Sequence, residues 1–216
     1  MALLRTFLLT TALGACATAR MEPGGDDQQA QPDAATPLVD APRRVDAPSM
    51  AGCAQAFTGV LATWDFAAET GSQASTAVKT TATGVVAGPI ERATALTAVS
   101  GANSINSSSW PTAAQPDPAK HYKLTIAPPT GCALQITSLA IDARASATGP
   151  MMAAVTTSLD SYGQPIAIAP NAVSSPAMSM SAQSTMVELH VSGFAASATA
   201  GTMRLQGAFT ISGSLL

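Results

Sequence analysis

The side chains able to do chemistry in this sequence are few and scattered. Histidine occurs twice, at His121 and His190, and cysteine three times, at Cys16, Cys53 and Cys132. Beyond residue 57 the carboxylates are Asp65, Glu69, Glu91, Asp117, Asp142, Asp160 and Glu188. A Ser-His-Asp hydrolase needs its nucleophile on a sharp turn, and no G-x-S-x-G occurs. No H-E-x-x-H occurs either, and no paired Cys or His spacing suits zinc. A glycosidase needs two carboxylates in one cleft, and no spacing singles out such a pair. Both histidines fall on polar positions of predicted strands. With 21 serines, some Ser near some His is expected by chance. The expectation is a protein that binds rather than catalyses, with no cofactor and no metal.

Binding chemistry has a few candidates. Trp110, in Ser107-Ser108-Ser109-Trp110-Pro111, is an aromatic that a loop could offer to stack on a sugar ring. The competing reading places it in the core or pins the loop with it, and Trp64, at strand spacing, reads as core. Arg144 lies on the polar face of its strand, two residues from Asp142 on that face. Pairing with a neighbour is the plain reading of Arg144; the alternative makes Arg144, Ser146 and Thr148 a polar ledge beside Gly149-Pro150. Met178 and Met180 alternate with serines, as in an edge strand rather than a metal site.

The cysteines divide by position. Residues 1–15 carry one Arg and an apolar stretch including Leu8, Leu9, Ala12 and Leu13, too short to span a bilayer core of about 30 Å. The run Leu13-Gly14-Ala15-Cys16 resembles a bacterial lipobox. That resemblance implies cleavage before Cys16, its acylation, and anchoring in a membrane, with Ala17 favouring the outer membrane. An ordinary signal cut at an Ala-x-Ala site is the competing reading. An exported context favours a disulfide between Cys53 and Cys132 over two buried thiols. Such a bond would staple the start of the domain to the turn Pro128-Pro129-Thr130-Gly131.

The elements that must position these residues begin after a composition shift. Residues 16–52 hold Glu22, Asp26, Asp27, Asp33, Asp40 and Asp46, with Asp-Ala-Pro at 40–42 and again at 46–48. Proline fixes φ and biases its predecessor toward extended backbone, so this stretch reads as a tether. Its style resembles lipoprotein tethers of myxobacteria and related deltaproteobacteria. The chain as a whole has 45 Ala, 25 Thr and 21 Ser among 216 residues, but only 11 % charged residues. Low charge with high apolar content argues against wholesale disorder. A pI near 5.2 argues against nucleic acid as partner.

Residues 53–216 read as an all-β domain, a β-sandwich or barrel, with alternation that suits two antiparallel sheets. Val60, Ala62, Trp64 and Phe66 alternate with Leu61, Thr63 and Asp65. The same period of two runs through Tyr122, Leu124 and Ile126, through Leu139, Ile141 and Ala143, and through Met151, Ala153, Val155 and Thr157. It returns at Val187, Leu189 and Val191, and at Met203, Leu205, Phe209 and Ile211. Period two marks a strand with one buried face. Leu134 and Ile136 have the opposite parity to Leu139 and Ile141, which predicts a bulge or bend at Thr137-Ser138. Residues 90–98 are the segment where a short helix competes.

Several segments resemble the jelly-roll domains of secreted and cell-surface bacterial proteins, including those with PEP-CTERM or type IX sorting tails. They are Thr63-Trp64-Asp65-Phe66, residues 106–110, residues 122–126, residues 142–150, residues 157–162 and residues 201–205. Where that family often closes on Arg-Leu-Asp, this chain reads Arg204-Leu205-Gln206. The family implies a β-sandwich and no general enzymatic activity. The functional expectation is a lipid-anchored envelope protein, a monomer, that displays a recognition or adhesion module. Carbohydrate or an envelope protein is its expected partner.

Overall fold

A computed structural model describes residues 53–216. The expected signal segment, the tether and Cys16 lie outside the described residues. Fourteen strands follow in order: β1 (Phe57–Asp65), β2 (Ser75–Thr76), β3 (Val78–Thr81), β4 (Val86–Ala87), β5 (Ile90–Arg92), β6 (Thr97–Ala98), β7 (Ser104–Ser108), β8 (Tyr122–Ala127), β9 (Leu134–Ala145), β10 (Pro150–Thr157), β11 (Ile166–Ile168), β12 (Ala172–Ser174), β13 (Val187–Ala196) and β14 (Met203–Leu215). Two antiparallel sheets form a sandwich. The first runs β12-β9-β14-β1-β3, with β7 also on β14 and β6 on β7. The second runs β11-β10-β13-β8-β5-β2, with β4 also on β8.

The long strands pair in nested fashion. β1 pairs with β14 and β9 with β12 in the first sheet, while β8 pairs with β13 and β10 with β11 in the second. This nesting of early strands with late ones, alternating between sheets, is the jelly roll.

Alternation places the core as the sequence predicts for β8, β9, β13 and β14. Tyr122, Leu124 and Ile126 face Val187, Leu189 and Val191 along one sheet, and all six are buried. Pairing of β9 with β14 passes over Thr137, so Ile136 and Leu139 both point inward despite their odd separation. That is the predicted bulge. Gly213, opposite this irregularity, lies so close that a Cβ would sit 2.0 Å from the Gln135 carbonyl oxygen.

Three expectations differ from the structure. In β1 the pairing with β14 shifts between Val60 and Ala62, so Leu61 is buried and Val60 is 47 % exposed. A bulge reset the face that strict alternation assigned. In β10, Met151 is exposed, whereas Ala153 through Thr157 are all buried. There the outer face is partly covered, since Thr156 shares a depression with Tyr162 and residues 115–118. Residues 90–98 form β5, a turn and β6 rather than a helix. Ile90 inserts into the core beside β8 and Arg92 takes carbonyl partners, so tertiary pairing overrides the local alanine content.

The Cys53–Cys132 disulfide is formed, with Cα atoms 4.6 Å apart and a sequence separation of 79. It ties the chain just before β1 to the turn before β9, as expected from the sequence. Inside the sandwich, Arg92 anchors the polar end of the core. Its Nε donates to Ser107 Oγ at 2.8 Å, and its Nη2 donates to Gly71 O at 2.8 Å and Asn106 O at 3.0 Å. Tyr122 Oη lies 2.9 Å from Ser107 Oγ and donates to Met203 O at 2.8 Å, linking a strand of the second sheet to the first. Burial pushes this phenol well above its ordinary pKa, so it stays a donor. A buried polar chain satisfied at each step fixes one alignment of the two sheets.

Candidate functional site

Trp110 is not offered to a ligand. It is wholly buried, packs edge-on against Tyr122 at 5.5 Å and donates its Nε1 proton to Ser107 O at 2.8 Å. After Trp110, Pro111 O and Ala113 O accept from Ala196 N–H and Ala195 N–H, which ties the loop to the end of β13. Of the two readings of Trp110, its burial fits the core one and not the sugar-stacking candidate.

An aromatic surface forms elsewhere, on the outer face of the second sheet. β13 turns Glu188, His190 and Ser192 away from the core. Register sets His190 directly opposite Thr156 on β10 and Lys123 on β8. Lys123 in turn faces Glu91 on β5 and pairs with it at 3.0 Å. His121, one residue ahead of β8, stacks on His190 with ring centroids 3.6 Å apart and planes 9° apart. Tyr162 stacks on His190 at 4.3 Å and 10°. Two parallel partners at these distances occupy opposite faces of one ring, so His190 is the middle of a three-ring column.

The turn after β10 delivers Tyr162. Residues Ser158–Asp160 form one 3-10 turn, and Ser161 and Tyr162 then adopt left-handed backbone at φ 55° and 62°. Non-glycine residues in this region carry a cost of roughly 1–3 kcal/mol. The turn is held by Tyr162 N–H to Thr157 O at 2.9 Å and by Gln164 N–H to Asp160 Oδ2 at 2.7 Å. Glu188 locks the column laterally: its Oε1 accepts from Tyr162 Oη at 2.7 Å and from His190 Nε2 at 2.8 Å.

Protonation follows from these contacts. Burial raises the Glu188 pKa, but the Tyr162 and His190 hydrogen bonds outweigh it and hold the carboxyl below its ordinary value. Burial, the bond to Glu188 and its charge push Tyr162 up to about 12. Burial lowers both imidazoles, and for His121 the proximity of His190 adds to it. At neutral pH the column is thus a carboxylate, a phenol and two neutral imidazoles. His190 donates through Nε2, which leaves Nδ1 as an acceptor. His121 Nδ1 donates to Pro118 O at 3.0 Å, which leaves its Nε2 as an acceptor. Glu188 Oε2 takes no hydrogen bond from the described residues.

The column divides two depressions. One, of about 450 Å³, is floored by Thr156, His190 and Ser192 and walled by Tyr162, Pro165 and residues 115–118. The other, of about 380 Å³, lies toward His121, Lys123 and Glu91. The larger falls in the size range of small-ligand sites, roughly 300–1,000 Å³, and mixes apolar rings with a few polar groups as such sites do. Among the described residues, no set of three His, Cys, Asp or Glu side chains is placed to hold a metal ion.

Of the other expected residues, Arg144 and Ser146 do share a depression, on the outer face of the first sheet, while Thr148 does not line it. Arg144 pairs with Asp142, Nε to Oδ1 at 2.6 Å, as the plain reading has it. Met178 is buried and Met180 packs against the core, beside isolated bridges to β9 rather than in a strand. Sequence reasoning weighed His121, His190 and Glu188 only as catalytic groups and assigned no role to Tyr162. Glu188 and His190 share the polar face of one strand, which was a usable signal. Their union with His121 and Tyr162 required knowing that β8, β10 and β13 are neighbours. No protein-family model, no curated protein and no solved structure matches the chain.

Proposed function

We propose that this chain is an envelope lipoprotein whose β-sandwich is a recognition module, binding carbohydrate in the cleft beside Tyr162 and His190. The observation that carries this reading is the ring column locked by an ionised Glu188 at the wall of an open cleft. Tyr162 is 37 % exposed, stacks on His190 and lines the cleft, a placement that suits the C–H face of a pyranose. Within the cleft, His190 Nδ1 supplies an acceptor for sugar hydroxyls, and Gln115 at the wall supplies an amide. Locking the rings before the ligand arrives cuts the ordering cost of binding. Glu188 is engaged as a brace by two donors, which suits positioning better than proton transfer. Lipidation at Cys16 would hold the module at the membrane, and the resemblance to surface jelly rolls supports display there.

A glycan array probed with the purified chain tests the reading. Saccharide binding is expected, and Tyr162→Ala should weaken it about tenfold, the loss of one stacking contact of roughly 1–1.5 kcal/mol. Silence across the array, or unchanged affinity in Tyr162→Ala, would remove carbohydrate from the account. The anchor has its own test: labelled palmitate should enter the wild-type protein and not Cys16→Ser.

A further inference from the structure

Away from the aromatic cleft, one cluster carries unbalanced charge. On the outer face of the first sheet, Asn106 of β7, Arg204 of β14 and Arg144 of β9 stand in one transverse row, each directly opposite the next. Like charges at directly opposed strand positions destabilise a sheet. The nearby carboxylate does not relieve both cations. Asp142 Oδ1 lies 2.6 Å from Arg144 Nε, and its Oδ2 accepts from Gln206 Nε2 at 3.0 Å. Arg144 Nη1 donates to Asn171 O at 2.6 Å. Arg204 has no ion pair or side-chain hydrogen bond among the described residues, and its Nε, like that of Arg144, is shut off from solvent without a hydrogen bond. Asn106, 5 % exposed, turns an unpaired Oδ1 into the same row; this neutral acceptor leaves the charge standing.

A formed depression of about 180 Å³ lies over these groups, closed by Ser146 and Thr202. Its far wall is rigid, because two loops meet there backbone to backbone. A Cβ on Gly149 would lie 2.2 Å from Thr202 O, and one on Gly201 would lie 2.1 Å from Thr148 O. Ser146 Oγ accepts from Thr202 N–H at 2.9 Å, which leaves its own proton free to donate. The depression therefore presents guanidinium N–H groups and a hydroxyl donor around one partly desolvated, uncompensated positive charge. Its volume is well below the roughly 300–1,000 Å³ of sites that enclose a whole ligand. It is sized for a single charged group.

We propose that Arg204 and Arg144, with Ser146, bind one tetrahedral oxyanion, the sulfate or phosphate ester group of a larger ligand. Guanidinium forks match such oxygens geometrically and pair with them through charge-assisted hydrogen bonds. The site lies on the opposite sheet from the Tyr162 cleft and does not depend on that cleft's reading.

The test is an NMR titration of the full chain, following the arginine Nε–Hε signals at constant ionic strength. Sodium sulfate and methyl phosphate are the probes, in separate titrations, with sodium chloride as the reference. Saturable shifts of the Arg204 signal at millimolar probe, absent with chloride, are expected for at least one of them. Saturation by one probe alone assigns that ester, and saturation by both supports the shared oxyanion chemistry. Arg204→Gln, followed through the Arg144 signal, should weaken binding at least tenfold, while Lys79→Gln, at an exposed cation of β3 that pairs with Asp65, should bind as wild type does. Arg204→Lys keeps the charge, guards against a misfolded Gln variant, and should bind with intermediate strength. Shifts that never saturate, that chloride reproduces, or an affinity unchanged in either Arg204 variant overturn the proposal.

Discussion

Two groups of aromatic rings in this domain differ in what their polar atoms meet. Trp110 and Tyr122 lie between the sheets, and their N–H and O–H groups go to backbone carbonyls of β7 and β14. Tyr162, His190 and His121 lie outside the second sheet, and two of them converge on a carboxylate. A ring whose polar atom ends on main chain closes the fold. A ring whose polar atom ends on an ionised side chain at a cleft leaves the arrangement open to a ligand. The destination of one hydrogen bond separates scaffold from site better than residue type does.

The sharpest way to break this contrast is to truncate both groups and compare. Trp110→Ala should lower stability by about 3–5 kcal/mol, the cost of emptying a buried large side chain, measured by urea unfolding. Tyr162→Ala, in contrast, should leave the urea midpoint nearly unchanged. Equal losses in the two variants would erase the distinction drawn here. Next in size is the Cys53–Cys132 bond. Its 79-residue separation gives a chain-entropy stabilisation of about 4 kcal/mol in the unfolded-state model. The double Ser variant should unfold correspondingly earlier in urea while keeping the proposed saccharide binding under conditions where it is folded. Loss of binding in the folded variant would mean that the staple also shapes the cleft.

The smallest effect is pH dependence, and it belongs to the outer column alone. The folded state holds His121 and His190 below the ordinary imidazole value of about 6.5. As pH falls through that value the unfolded chain takes up protons that the folded chain resists, so stability declines toward the lower folded pKa values. Glu188, held low, acts in the same direction at more acidic pH. Asp117 near the cleft and the Lys123–Glu91 pair beside His190 set the remaining field. Urea midpoints should fall between pH 7 and pH 5, and the fall should shrink in His121→Asn. An identical slope in that variant would detach the imidazoles from it.

Much of the sandwich was legible because one face of each long strand is apolar. The pairs Tyr122/Leu124 and Val187/Leu189 announce their burial, and the parity change at Thr137 announces a bulge. The bulge at Val60–Ala62 was silent, since Val60, Leu61 and Ala62 are all apolar and either parity fits. The polar interior was equally silent: in Ser104–Ser108 four of five residues are buried, held by partners far along the chain. The cleft was illegible for a related reason. Its rings come from positions 121, 162 and 190, and only the nested pairing of strands makes them neighbours. Arg144 and Ser146 were visible as a ledge, but Arg204 joins them through a register that spacing alone does not reveal.

The disulfide has a mechanical consequence. Tension on the chain ahead of Cys53 would otherwise enter through β1 and peel it from β14 one residue pair at a time. The covalent link passes part of that load to Cys132 and so to β9, which is hydrogen-bonded to β14 over ten register positions. Hydrogen bonds of several strands then share the force together instead of failing in sequence. A module held from its N-terminal side would stay folded under shear because its first covalent contact lies outside its first strand.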